Sequence, residues 1–205
     1  MIIIIIAITV IISIVAMNNA DLFYRFRFNP YLALHSKQWY RFLTYGFIHA
    51  GWMHLFINMF VLYSFGDVVI QYYKLIFGLA GYYYFGLLYI SAILFSVLPS
   101  FGKQKNDPYY NSVGASGAVS AVVFTSILFM PTGKISLIFF PIGIPAFIFG
   151  FIYLVYTAYM AKRGKDNIGH DAHFFGAVFG VVFTICLKPA VALYFYDQIR
   201  TFFGF

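Results

Sequence analysis

Long apolar runs, separated by connections too short to hold much else, are what most restricts this chain. A helix needs about 20 apolar residues to cross a bilayer. A 205-residue chain that is 62% hydrophobic and only 9% charged has room for about six such crossings and no separate soluble domain. Soluble domains carry roughly 25% charged residues. The sequence therefore predicts an all-α polytopic membrane protein. It would be a single six-transmembrane-helix domain over 1–205, with spans at approximately 2–17, 53–72, 75–98, 115–130, 143–161 and 172–187.

Thirteen Lys and Arg face six acidic residues, all of them Asp. The cations stand singly or in small groups between apolar runs, which suits anchors at a lipid bilayer and speaks against nucleic acid as a partner. Cys186, the single cysteine, lies in the last apolar run, so no disulfide forms within one chain. Met1 to Met17 is isoleucine-rich, but it lacks a basic flank and a clear Ala-x-Ala signal, which favours an uncleaved first span. Residues 18–53 read as a long first loop in which Arg25, Arg27, Lys37 and Arg41 mix with Phe23, Tyr24, Trp39 and Tyr40, as at a membrane interface. Lys74 marks a very short turn between spans two and three, and Pro99 ends span three. Pro131 to Lys134 is a turn, Pro141 and Pro145 precede or open span five, and a short aromatic tail follows Lys188-Pro189.

Three polar constellations interrupt the hydrocarbon. The first, Asn111-Ser112-Val113-Gly114-Ala115-Ser116-Gly117, opens a fourth span of about 16 residues, short enough to start Ser116 below the membrane surface and within protein. The second pairs His54 with Asn58, one helical turn apart on one face of span two. The third is His173, followed at i+3 and i+7 by Gly176 and Gly180, which would let another backbone approach. Gly117 and Ala121 of span four match them. Each has a plain structural reading, as an interhelical hydrogen bond or close helix packing. Together they supply a nucleophile, a base for its proton and donors for an oxyanion, the roles that acyl transfer demands.

The same residues in the same order resemble the rhomboid intramembrane serine proteases. The resemblance lies in Gly114-x-Ser116-Gly117, His54-x-x-x-Asn58 and Ala172-His173-x-x-Gly176-x-x-x-Gly180. Trp39-Tyr40-Arg41 is similar to the family's aromatic-arginine element in loop one, and Pro141-x-x-x-Pro145 to its prolines before span five. The resemblance implies Ser116 as nucleophile and His173 as general base, a dyad without an acidic member. It implies an oxyanion held by the Ser116 N–H, His54 and Asn58, with Gly114, Gly117, Gly176 and Gly180 packing closely around the site. Its substrates would be transmembrane proteins, cut through an acyl-enzyme, and it implies neither a cofactor nor a metal. Asp171 points about 200° round the helix from His173 and cannot orient that ring. Asp67 falls near the far end of span two. His170 is a rival base on the polar loop edge, outside the glycine register, and His49 is a structural partner for the loop that leads into span two. Some relatives carry an aromatic four residues after the nucleophile, against which the histidine stacks. Ser120 stands there in this chain, so packing or hydrogen bonding has to hold His173 instead.

Family topology would place loops one, three and five outside. They hold Arg25, Arg27, Lys37, Arg41, Lys103, Lys105, Lys162, Arg163 and Lys165, against the positive-inside rule. Span five and the loop Lys162 to Gly169 are the expected gate and cap for substrates that arrive sideways from the bilayer. Two other functions stay open: a catalytically dead relative that holds transmembrane clients, and a channel or transporter lined by His54, Asn58 and His173. The small size points by analogy to a bacterial cytoplasmic membrane. The oligomeric state stays open.

Overall fold

A computed structural model describes residues 1–137, 140–163 and 169–205, the side chains at 137, 140 and 141 excepted. Helix α1 (Ile2–Met17) is followed not by an irregular loop but by α2 (Ala20–Phe26), α3 (Pro30–His35), α4 (Arg41–Thr44) and a 3-10 turn at Tyr45–Phe47. Two asparagines explain the local order. The Asn19 and Asn29 side chains accept the Leu22 and Leu32 N–H groups at 2.9 and 2.8 Å, capping α2 and α3, and Pro30 supplies a preset first helical residue.

Helix α5 (Trp52–Phe77) runs through Lys74, where the sequence suggests a turn. It stops at Gly78, whose φ of 61° suits glycine and whose N–H closes on the Lys74 carbonyl at 2.8 Å. Its buried residues, Leu55, Asn58, Met59, Leu62, Gly66, Val69, Ile70 and Tyr73, recur every three or four positions and form one inward stripe. Helix α6 (Ala80–Ser96) gives way to α7 (Leu98–Gln104) because Pro99 has no N–H for the Phe95 carbonyl.

Helix α8 (Ser116–Phe129) is the centre of the molecule. Thirteen of its 14 residues are buried, all but Ser116, and α5, α6 and α10 pack round it. A helix apolar on every side belongs in such a place. The stretch after it departs from an all-helical chain. Strands β1 (Lys134–Leu137) and β2 (Phe140–Pro145) pair antiparallel, with Ile135 opposite Ile144 and Lys134 opposite Pro145. The hairpin leads directly into α9 (Ala146–Arg163), whose first N–H groups, of Ala146 and Phe147, bond the Gly133 and Pro131 carbonyls at 2.8 and 2.9 Å. Helix α10 (His170–Leu187) follows. The aromatic tail is a further helix, α11 (Ala190–Phe202).

Among the described residues, three stretches are long and apolar enough to cross a membrane: Trp52–Phe77, Ala80–Gln104 (α6 continued by α7) and His170–Leu187. Ile2–Met17 and Ser116–Phe129 are apolar but shorter, and α9 ends in Lys162 and Arg163. The count of six full spans is therefore covered only in part. Helix α9 rests mainly on α10 and touches α8 lightly. Val123, Phe124, Ile127, Ala146 and Ala177 form a small apolar cluster where these three helices meet.

Candidate functional site

The chain that leads into α8 is tied down residue by residue. Phe28 and Ser112 exchange two backbone hydrogen bonds of 2.9 Å. The Asn29 amide donates to the Pro108 and Tyr110 carbonyls and to Asn111 Oδ1, at 3.0 to 3.1 Å. Arg41, only 1% exposed, donates from Nη1 to the Tyr24 and Arg27 carbonyls at 2.8 Å and from Nε to Gln38 at 2.7 Å, which closes the C-terminal end of α2. Closer to the site, the Gly114 N–H bonds the Tyr45 carbonyl at 2.9 Å, and the Ala115 N–H points at His49 Nε2 from 3.4 Å.

That last contact fixes the His49 tautomer. With Nε2 accepting, the proton sits on Nδ1 and goes to Ser13 Oγ at 3.0 Å, while the Ser13 hydroxyl donates to the Phe47 carbonyl at 2.9 Å. Complete burial pushes the His49 value down to about 3 and keeps the ring neutral. Helix α1 thus reaches, through one imidazole, to the residue before Ser116.

Gly114 has φ 112°, a conformation that disfavours any side chain. A Cβ there would lie 2.6 Å from His54 Cε1 and 2.8 Å from Nε2, so the His54 imidazole rests directly on the backbone two residues before Ser116. Asn58 is buried one turn further along α5. One N–H of its amide goes to the His54 carbonyl at 2.9 Å, which leaves the other for a ligand.

Helices α8 and α10 meet backbone to backbone. A Cβ on Gly176 would overlap the Gly117 carbonyl oxygen, and one on Gly180 the Ala121 carbonyl oxygen. A Cβ on Gly117 would strike Ser96 Oγ and come within 3.2 Å of the Ala172 carbonyl oxygen. Further along, Thr125 Oγ1 donates to the Gly180 carbonyl at 3.1 Å and meets Thr184, which Tyr73 also bonds. The close seam sets the first turn of α8, with Ser116, against the first turn of α10, with His173. Both side chains are half-buried. His54 is near enough to His173 for the two rings to interact electrostatically. Ser116 and His173 form no hydrogen bond among the described residues, which is common in a ligand-free site.

The remaining candidates are placed as follows. Asp171 forms an ion pair with Lys103 at 2.9 Å, and Asp67 is exposed and bonded to Gln71. The His170 ring lies 6.1 Å from His173 and edge-on to Tyr156 at 5.6 Å. Among the described residues, no group of three or more His, Cys, Asp or Glu is placed to hold a metal ion. The expected cap falls largely on 164–168, outside the described residues. One neighbour of the site was not legible in the sequence: Tyr153 of α9, whose hydroxyl meets Ser120 Oγ at 2.7 Å and whose ring lies beside His173. It is one of 18 tyrosines, and nothing in its local pattern marks it out.

Residues 36–190 match the Rhomboid domain family. The chain is 30% identical over 145 residues to the presenilin-associated rhomboid-like protein, mitochondrial, of Homo sapiens, a match covering 66% of this chain and 34% of that protein. It is 33% identical over 162 residues to Rhomboid-like protein 11, chloroplastic, of Arabidopsis thaliana, covering 74% of this chain and 54% of that protein. The chain thus spans about a third of the length of the mitochondrial relative and about half that of the chloroplast one. Both are organellar by name, so a bacterial cytoplasmic membrane finds no support in them. The match over 36–190 takes in the second half of loop one, the Ser116 turn and helices α5 and α10 with His54 and His173, and the chain belongs to the rhomboid family.

Proposed function

We propose that this chain is an intramembrane serine endopeptidase that cuts transmembrane segments of membrane proteins with Ser116 and His173. One observation carries the reading: the overlap-close contact of Gly117 with Gly176, which sets the Ser116 turn against the His173 turn while His54 rests on Gly114.

In this mechanism Ser116 Oγ attacks the scissile carbonyl carbon as His173 takes its proton, and the carbonyl oxygen becomes an oxyanion. The Ser116 N–H, the His54 imidazole and the free N–H of Asn58 are its donors. The tetrahedral intermediate expels the amine, which leaves with the proton from His173, and an ester on Ser116 remains. Water, deprotonated by His173, then attacks that ester and regenerates the hydroxyl. The buried surroundings make each donor worth more than in water.

Substrates reach the site sideways, between α5 and α9. Helix α9 is the mobile side, because it packs mainly on α10 and only lightly on α8 and on strands β1 and β2. A stable helix keeps its carbonyls bonded, so preferred substrates carry Gly or Pro near the cut. One domain with six membrane-embedded helices, α1, α5, α6, α8, α9 and α10, fits this reading, with α8 sheltered by the others. The test is cleavage of a transmembrane reporter by purified protein in liposomes. Wild type cuts, Ser116→Ala and His173→Ala do not, and cutting by Ser116→Ala at the wild-type rate sinks the assignment.

A further inference from the structure

Ser120 lies one turn beyond Ser116 on the same face of α8, and its small side chain leaves room beside His173. Tyr153 of α9 fills that room. Its hydroxyl bonds Ser120 Oγ at 2.7 Å, and its ring lies nearly parallel to the His173 imidazole, with centroids 6.5 Å apart and 21° between planes. That is the outer part of the range over which aromatic rings attract. Phe124 of α8, at 5.6 Å, and Phe149 of α9, at 5.9 Å, hold the tyrosine ring from other sides. One turn along, Tyr156 meets His170 edge-on. The two helices thus match two tyrosines to two histidines, in antiparallel order.

We propose that Tyr153 is the positioning residue for His173, and that its place on α9 makes the orientation of the base depend on the seating of that helix. The inference rests on the protease reading above. A ring carried by the nucleophile's own helix would hold the histidine whatever α9 does. A ring carried by α9 leaves when α9 swings out, and its tether to Ser120 breaks with it. The base is therefore set only when α9 has closed again over a bound substrate, and an open molecule is catalytically slack. A serine on α8 and a tyrosine on α9 together make the support of the base conditional on α9.

The test compares Tyr153→Phe, Tyr153→Leu and the exchange variant Ser120→Tyr/Tyr153→Ser in liposomes. Reporter cleavage is measured beside labelling of Ser116 by a small fluorophosphonate, which needs no lateral opening. Tyr153→Phe keeps the ring and should stay within about threefold of wild type. Tyr153→Leu should lower kcat by about tenfold or more with KM nearly unchanged, and slow the labelling in parallel, since misplacing a catalytic group by about 1 Å costs on the order of a hundredfold. The exchange variant returns a ring to the histidine from α8 and should recover labelling to within about threefold of wild type. Wild-type labelling in Tyr153→Leu overturns the inference. Should that variant lose thermal stability, the exchange variant decides, and labelling no faster than in Tyr153→Leu overturns the inference as well. A wild-type protein that neither labels nor cleaves refutes the protease reading together with this inference, whereas an active wild type with an indifferent Tyr153 removes this inference alone.

Discussion

His49 Nε2 receives the Ala115 N–H at 3.4 Å, and through its other nitrogen the same ring holds Ser13 of the first helix at 3.0 Å. The position of Ser116 is therefore set by a buried neutral imidazole as well as by the helix it begins. A charged ring would donate from both nitrogens and turn that acceptor into a donor facing the Ala115 N–H.

This arrangement gives stability a pH dependence with a definite sign. The folded value of His49 is near 3 and its ordinary value 6.5, so between those limits the unfolded chain binds the extra proton. The contribution of this site is complete above about pH 6.5 and falls away as pH drops toward 3. At pH 5 the loss is on the order of 2 kcal/mol. Unfolding in detergent at pH 7.5 and pH 5 should show a gap between the two conditions that shrinks by about that amount in His49→Gln. An unchanged gap would assign the acid sensitivity to other groups.

Gly176→Ala forces a methyl group into the Gly117 carbonyl, and neither backbone can move aside without parting α8 from α10. A loss of about 2 kcal/mol or more is expected in thermal unfolding, with slower fluorophosphonate labelling of Ser116. Gly86→Ala is the matched control, because a Cβ there meets nothing within 4 Å. It should be neutral or gain up to about 1 kcal/mol. Equal melting temperatures for the two variants would mean that the seam is looser than its geometry.

Arg41→Lys keeps the charge but loses the planar fork that reaches Gln38 and two carbonyls at once. Hydrogen bonds to charged groups contribute about 1.5 to 3 kcal/mol each, and the carbonyls at the end of α2 would be left bare. Thermal unfolding should show a loss of at least about 2 kcal/mol. A lysine variant as stable as wild type would show that this end of α2 is held by something else.

The two side chains proposed as oxyanion donors should not weigh equally. The His54 ring faces the Gly114 turn, whereas one of the two Asn58 N–H groups is already committed to the His54 carbonyl. Loss of a donor costs about 10²- to 10³-fold in serine proteases. His54→Ala is expected in that range for reporter kcat, and Asn58→Ala below it, on the order of tenfold. The reverse ranking would place the oxyanion nearer to Asn58 than this geometry does.

The pairing of Gly117 and Ala121 with Gly176 and Gly180 was readable in the sequence because close helix packing admits little but small residues, and their spacing follows the helix period. The membrane class was readable for a similar reason, since nearly every segment is apolar. The hairpin at 134–145 was not, because a short apolar run with prolines has no periodicity that separates strand from loop. Helix α11 was hidden in an aromatic tail. Helices α2 and α3 were hidden by their length, and only the asparagines at 19 and 29 announced them. Tyr153 could not be singled out at all. Its partners lie 33 positions away at Ser120 and 20 away at His173, and no local pattern records a contact between helices.

At Gly117–Gly176 and Ala121–Gly180 only backbone lies between α8 and α10, so a water molecule has no passage through that wall. The proposed mechanism ends each cycle by hydrolysis, so the closed seam bears directly on where its water enters. Water has to reach Ser116 from a side other than this seam.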